Sequence, residues 1–409
     1  MTWLVVIAGL LLLVFLHELG HFSVALAVGV RPRSFYVGFP PAIAKFQRKG
    51  IEYGLGAIPL GGMVRIPGMN RPAARDVEAF MASALREDPA LAPLVQRVRR
   101  ALEADDLAGA RAALPELREH VEHGVLTAGA RRSANRALRD VDEGTGADAY
   151  WRQATWRRIA IIAAGPAMNI LVAFLLFFGV YATGAPTGNG TTRVAAVSSG
   201  TPAAAAGLRS GDRIVAVSGH AARTFDALSQ RIRASHGRPI TVTVVRGGTR
   251  VTLGPRKTIF SHGKYIWGFS PGVESVSHPV GASVRLAARD CWRVLSGTVT
   301  AFAGLVHAKD RAQVSGPVGI VRTSAVALRL GFNWYLQILG LISMSLAILN
   351  LLPLLPLDGG HILFSLIEAV RRRALAREVY ERVSVFGLML IGLIWVIALS
   401  NDFSSGVPH

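Results

Sequence analysis

A single cysteine, Cys291, stands in 409 residues. That excludes an intramolecular disulfide framework and any cysteine-based metal cluster, so a portion exposed to an oxidising compartment must be held by its own core, and the lone thiol reads as inert packing. Lysine is nearly as scarce, 5 residues against 40 arginines, a bias that with the Ala and Gly richness suggests a GC-rich bacterial genome. Charge is missing altogether from four long runs: Trp3 to Leu16, Ile159 to Thr183, Trp334 to Leu357 and Val383 to Ser400. With 51% hydrophobic residues and a mean hydropathy of +0.38, the composition excludes an ordinary soluble enzyme and gives a polytopic α-helical membrane protein of about four spans. No Lys or Arg precedes the first run. Leu4 to Leu16 and Ala25-Leu26-Ala27 imitate a signal peptide, but that missing basic start argues against one, and residues 1–30 read as a retained first span.

Lys and Arg are also absent from the tail Asn401 to His409, whereas Arg371, Arg372, Arg373, Arg377 and Arg382 lie between the third and fourth runs. The positive-inside rule then puts that loop in the cytoplasm and both termini outside. Residues Arg31 to Arg158 become cytoplasmic, and Gly184 to Asn333 extracytoplasmic. The latter stretch carries 19 Lys and Arg against 5 Asp and Glu, which reads as a solvated face or as attraction to anionic lipid and cell-wall surfaces.

Against this apolar background His17-Glu18-Leu19-Gly20-His21 falls inside the first span. Ionisable groups at membrane depth are expensive and mark function. On a helix His17 and His21 share a face one turn apart, so both imidazoles can reach one Zn²⁺ while Glu18 projects beside it as a general base. A satisfied histidine pair or a chance match is the bland alternative, which the apolar setting disfavours. Two histidines leave a catalytic zinc short of a ligand. Asp358, in Asn350-Leu-Leu-Pro353-Leu-Leu-Pro356-Leu-Asp358-Gly359-Gly360-His361, is the only acidic residue from Trp334 to Leu366. Spans one and three run in the same direction, which brings Asp358 to the depth of the histidines in the cytoplasmic half. Pro353, Pro356 and the paired glycines break the helix there. Asp358 also suits a helix N-cap, and the two roles are compatible.

These residues resemble the site-2 protease family of intramembrane zinc metalloproteases, in its bacterial regulator-of-sigma-E protease branch. Gly165-Pro166-Ala167-Met168-Asn169 is similar to the family's G-P-x-x-N element, and Ser315 to Ile320 to its segment before the third span. The resemblance implies Zn²⁺ held by His17, His21 and Asp358, Glu18 as catalytic base, and Asn350 and Asn169 near the substrate. An amide in an apolar span needs partners, so Asn350 serves either an unwound substrate or a helix–helix hydrogen bond. Expected partners are single-pass membrane substrates, such as anti-sigma factors or remnant signal peptides, already shortened by an upstream site-1-type protease, together with the lipid bilayer of the bacterial inner membrane. No nucleic-acid partner is expected.

The same resemblance frames the rest of the chain. Residues 31–69, where β-branched and aromatic residues alternate with Gly and Pro from Phe35 to Pro67, imply a membrane-reentrant β-structure whose edge could hold substrate as an added strand. Pro40 departs from the family pattern and puts local pairing in doubt. Residues 70–150 form an insertion with rough helical periodicity (Leu85, Leu91, Leu94, Val98, Leu102, Leu107, Leu114, Leu117, Val121), read as a small cytoplasmic helical hairpin, with regulator binding as the other option. A second span covers 156–183. Residues 191–254, with Gly207-Leu208-Arg209-Ser210-Gly211-Asp212, resemble one extracytoplasmic PDZ domain, either docking an extended terminus or excluding bulky substrates, with exclusion preferred. Residues 255–333 are expected as a linker with an amphipathic helix from Pro279 to Val306, lying either on the membrane interface or against the PDZ domain. The third span is placed at 334–357 and the fourth at 383–400. The rival reading is a non-catalytic membrane receptor or scaffold that keeps the fold, and retention of every chemical residue argues against it.

Overall fold

The computed structural model describes residues 2–261, 263–304, 316–373, 375 and 377–404. In chain order it runs α1 (Thr2–Ala27), β1 (Ser34–Arg48), β2 (Ile51–Arg65), α2 (Ala74–Glu87), α3 (Ala92–Glu103), α4 (Leu107–Ala112), α5 (Leu114–His123), α6 (Ala128–Thr145) and α7 (Thr155–Thr183). There follow β3 (Ala185–Val197), α8 (Pro202–Ala205), β4 (Arg213–Val217), β5 (His220–Ala221), α9 (Phe225–Arg233), β6 (Pro239–Arg246), β7 (Thr249–Lys257), β8 (Ile259–Ser261), β9 (Lys264–Ile266) and β10 (Phe269–Val276). The last elements are α10 (Val280–Gly304), α11 (Pro317–Leu330), α12 (Phe332–Asn350), α13 (Asp358–Arg371) and α14 (Arg377–Ser404). Among the described residues, four helical stretches are long and apolar enough to cross a membrane: Thr2–Ala27, Thr155–Thr183, Phe332–Asn350 and Glu378–Ser400. The third stops short of the expected Leu357. Leu351 to Leu357 form turns instead, because Pro353 and Pro356 offer no N–H to a continuing helix.

The chain divides into two compact units. One comprises Ile7–Ala173, Val294–Gly319 and Ile342–His409. In it β1 and β2 bend into a sheet of four segments. Ser34, Phe35, Tyr36 and Val37 pair on one side with Glu52, Tyr53, Gly54 and Leu55, and on the other with Arg65, Val64, Met63 and Gly62. Farther along, residues 44–48 pair with 51–55 as a hairpin. The register jumps from Phe39↔Ile58 to Ala42↔Gly56, an irregularity that coincides with Pro40 and Pro41, which donate no ladder hydrogen bond.

The insertion is more than the expected hairpin. Helices α2 to α6 enclose a core of their own, with Met81, Leu91, Val98, Leu117, Val121 and Ala134 all at most 1% exposed. Its periodic leucines face inward because each helix is amphipathic on a four-residue repeat. Backbone bonds join its two ends, Tyr150 N–H to the Pro67 carbonyl (2.9 Å) and Trp151 N–H to the Gly68 carbonyl (3.0 Å). Two ion pairs tie it to the β-segment, Arg65–Glu143 (2.7 Å) and Arg33–Asp148 (3.0 Å). Burial raises the Glu143 carboxyl above its usual range, and Arg65 and Arg33 oppose the shift. At the start of α7, Arg158 pairs with Glu368 of α13 at 2.6 Å, both side chains at most 10% exposed. The Tyr150 hydroxyl reaches the Arg158 carbonyl (3.3 Å) and Ser365 Oγ (3.4 Å) beside this pair. Of the Ser315–Ile320 element, Ser315 lies outside the described residues. The Gly316 and Gly319 amides donate to the Asp402 carboxylate at 2.9 and 3.0 Å.

The other unit comprises Met1–Val6, Phe174–Arg293 and Ile320–Leu341. Its sheet has the order β10-β3-β4-β6-β7, with β5 paired to β4. Val194, Ile214, Leu228, Val242, Val244 and Trp267 form its core. Helix α9 contributes Leu228 and Ile232, four residues apart on its buried face, and Thr224 caps its N-terminus by accepting from Ala227 N–H. The expected boundaries at 191 and 254 are too narrow. Strand β3 begins at Ala185, and β10 pairs with it, Phe269 with Val197 and Val276 with Ala185, so residues 269–276 complete the sheet rather than link it, while β8 and β9 pair with each other as a separate ribbon. The amphipathic helix is α10. Asp212, 2% exposed, accepts from Arg246 Nε at 2.8 Å and Nη2 at 2.7 Å and from the Arg209 N–H at 2.9 Å.

Arg246 holds the Asp212 carboxyl below its usual range, so the pair stabilises the sheet at neutral pH and loses that contribution as pH falls through the lowered value. Asp212→Asn should therefore weaken local stability by about 2 kcal/mol at pH 7, equivalent to roughly 30-fold faster exchange. Hydrogen exchange of the β4 and β6 peptides in the detergent-solubilised full chain reads this, and the gap between native and variant should narrow on acidification.

Candidate active site

Helix α1 sets His17 and His21 on one face, and both are buried, 7% and 6% exposed. Their Nε2 atoms lie 3.2 Å apart. Asp358, the first residue of α13, brings Oδ2 to 3.3 Å from His17 Nε2 and 3.4 Å from His21 Nε2. Leu357 holds the cap position, so the side chain of Asp358 is committed to the histidines rather than to capping. The ligand atoms of all three residues lie within 4.8 Å of one another. Apart from those two imidazole nitrogens, Asp358 Oδ2 is buried with no hydrogen-bond partner, an arrangement costly for an anionic oxygen alone and natural for one that faces a cation. Two imidazole nitrogens and one carboxylate oxygen suit Zn²⁺, leaving a coordination position open.

The walls of the cluster come from α7 and β2. The His21 ring places Nδ1 2.8 Å from the Ile161 carbonyl. A proton on Nδ1 donates there and leaves the Nε2 lone pair free. Pro166 lies inside α7, where its missing N–H disrupts the regular ladder near that carbonyl. A Cβ on Gly165 would sit 2.2 Å from His21 Nε2 and 2.8 Å from His17 Cε1, so only glycine lets α7 pass this close. Glu18 points to the other side. A Cβ on Gly62 would come 2.4 Å from Glu18 Cγ. The β2 segment therefore packs at Gly62 directly against the Glu18 side chain.

Asn169 is completely buried, with Nδ2 3.2 Å from His17 Nδ1. It lies behind His17, and its backbone carbonyl accepts from Ser343 Oγ at 2.8 Å. Asn350 ends α12 half-buried, and no hydrogen bond joins it to the cluster. Nothing in the residue pattern pointed to the Ile161 carbonyl, since any residue supplies one. Gly165 and Gly62 left a trace only as glycines inside a helix and a strand, where glycine weakens regular structure and signals a close approach.

The model of peptidase family M50 matches residues 5–394. A protein of Agrobacterium fabrum named as a zinc metalloprotease is 30% identical over 412 residues, covering 96% of this chain and 93% of the relative. A protein of Mesorhizobium japonicum of the same designation is 30% identical over 413 residues, covering 96% of each chain. The zinc metalloprotease RasP of Geobacillus kaustophilus is 27% identical over 413 residues, covering 95% of this chain and 94% of its own. With a family match over nearly its whole length and a buried His–His–Asp cluster beside a glutamate, the chain belongs to peptidase family M50 and is a membrane zinc metalloprotease of the site-2 protease type.

Proposed function

We propose that His17, His21 and Asp358 hold the Zn²⁺ and that Glu18 is the catalytic base of peptide-bond hydrolysis within the transmembrane segments of single-pass proteins. The convergence of three ligand atoms on one buried point, with Asp358 Oδ2 otherwise unpartnered, carries this reading. Bound Zn²⁺ supplies Lewis acidity toward a water and a scissile carbonyl. Glu18 takes the proton from the attacking water and delivers it to the leaving amine. The Ile161 carbonyl orients the His21 ring. The Gly62–Arg65 segment, paired with Ser34–Val37 on one side only, offers its other edge to an extended substrate strand beside Glu18. A peptide must be extended to enter a hydrolytic cleft, and Asn350 stands at the break after α12 as a further substrate contact.

The arginines between α13 and α14 support a cytoplasmic location for that turn and for the metal-side ends of α1 and α13 in the bacterial inner membrane. The β3–β10 unit, with α9 on its core, is then extracytoplasmic and resembles a PDZ domain that excludes substrates with large outer portions. Substrates are anti-sigma factors or remnant signal peptides in regulated proteolysis, trimmed beforehand by a site-1-type protease.

Purified protein should hold about one Zn²⁺ per chain, and His17→Ala, His21→Ala and Asp358→Ala should each lose it. Gly165→Ala should weaken zinc binding by about tenfold or more, since the new methyl displaces His21 from its position. Elemental analysis and chelator competition measure both, and normal zinc in the Asp358 variant would remove that residue from the site. Glu18→Gln should keep zinc while cleavage of a membrane-embedded reporter falls by about 10²–10⁴-fold, the usual contribution of a positioned base. Near-native turnover in that variant would sink the assignment.

A further inference from the structure

The interior face of α7 meets the histidine pair at a regular interval. Residues 161, 165 and 169 follow one another every four positions on one side of the helix. Ile161 supplies a carbonyl to His21, and Gly165 supplies clearance. Asn169 brings an amide to His17, 3.2 Å from Nδ1. Its Oδ1 is buried with no hydrogen-bond partner.

That orphan oxygen conflicts with the role of the ring it faces. If His17 presents the Nε2 lone pair to a cation, its proton resides on Nδ1, and a ring N–H directed at an amide NH₂ sets donor against donor. A buried carbonyl oxygen left unpaired adds a further cost of about 1–3 kcal/mol. Exchanging Oδ1 and Nδ2 by a half-turn of the amide fills the same volume and removes both faults. The backbone of Asn169 is already fixed by Ser343 Oγ at 2.8 Å, so the amide reaches His17 from a braced position.

We propose that Asn169 is a positioning residue of the metal centre: its Oδ1 accepts the Nδ1–H of His17 and fixes the tautomer and plane of that ring. It does for His17 what the Ile161 carbonyl does for His21, so one helix face sets both imidazoles. The inference rests on the zinc reading of the cluster.

Chelator-competition titration with Zn²⁺ alone, on the detergent-solubilised full chain, tests it through Asn169→Leu and Asn169→Asp. The leucine variant, similar in volume but without polar atoms, should bind Zn²⁺ about 10–100-fold more weakly, the usual cost of losing a partner that orients a ligand. The aspartate variant keeps an acceptor at the same place and should bind at least as tightly as native. Equal affinity in the leucine and native proteins would mean that Asn169 merely fills space, and an aspartate variant as weak as leucine would mean that the amide donates. Either result overturns the proposal. Should the leucine variant fail to fold, the aspartate variant alone still separates acceptor from donor. His17→Ala in the same titration guards the premise: if it retains tight Zn²⁺, the ligand assignment has failed rather than the role of Asn169.

Discussion

Three ligand atoms from residues 17, 21 and 358 converge within 4.8 Å, and the positions of the surrounding helices follow from that requirement. A metal site tolerates errors of only a fraction of an ångström in its donors, so α1 and α13 must be held against each other independently of the ion. Helix α7 is the brace. Its Gly165 permits contact with both imidazoles, its Ile161 carbonyl holds one ring, and Arg158 at its start pairs with Glu368 on α13. A buried ion pair of this kind gives little net stability because desolvation offsets its Coulombic attraction. Its directional geometry is what fixes α13 relative to α7.

The juxtaposition of His17, His21 and Asp358 was legible because these residues violate their surroundings. Two histidines in a greasy helix and one carboxylate in a long uncharged stretch stand out from composition alone, and helical spacing joins the first pair. That Asn169 would face His17 was not legible. A polar side chain in an apolar helix announces a hydrogen bond but not its direction, and only the packing of α7 on α1 decides that. Pro353 and Pro356 announced a break in the third span, whereas the helix end at Asn350 and the restart at Asp358 depend on how the turn folds.

Among the strands, local pattern carried less. The alternation from Phe35 to Pro67 gave β-structure without revealing that Ser34 to Val37 would be paired on both sides. The outer strand β10 escaped because its partner β3 is distant in sequence, and Gly and Pro interrupt its alternation at Pro271 and Gly272. Conversely, the leucine repeats of the insertion predicted helices correctly but not their number, since periodicity within a helix says nothing of how many others share its core.

The backbone bonds from Tyr150 to Pro67 and from Trp151 to Gly68 close the helical module on itself. They make the insertion leave the host chain at nearly the point where it entered. A closed excursion of this kind places no demand on the path of the surrounding spans, and lengthening it adds little closure entropy. Such a module tolerates a change in its length without altering the path of the spans. Its salt bridges reach Arg33 and Arg65, neighbours at one end of the paired segments whose other end, at Gly62, packs on Glu18, so a strain imposed on the module is passed into the strand that touches Glu18.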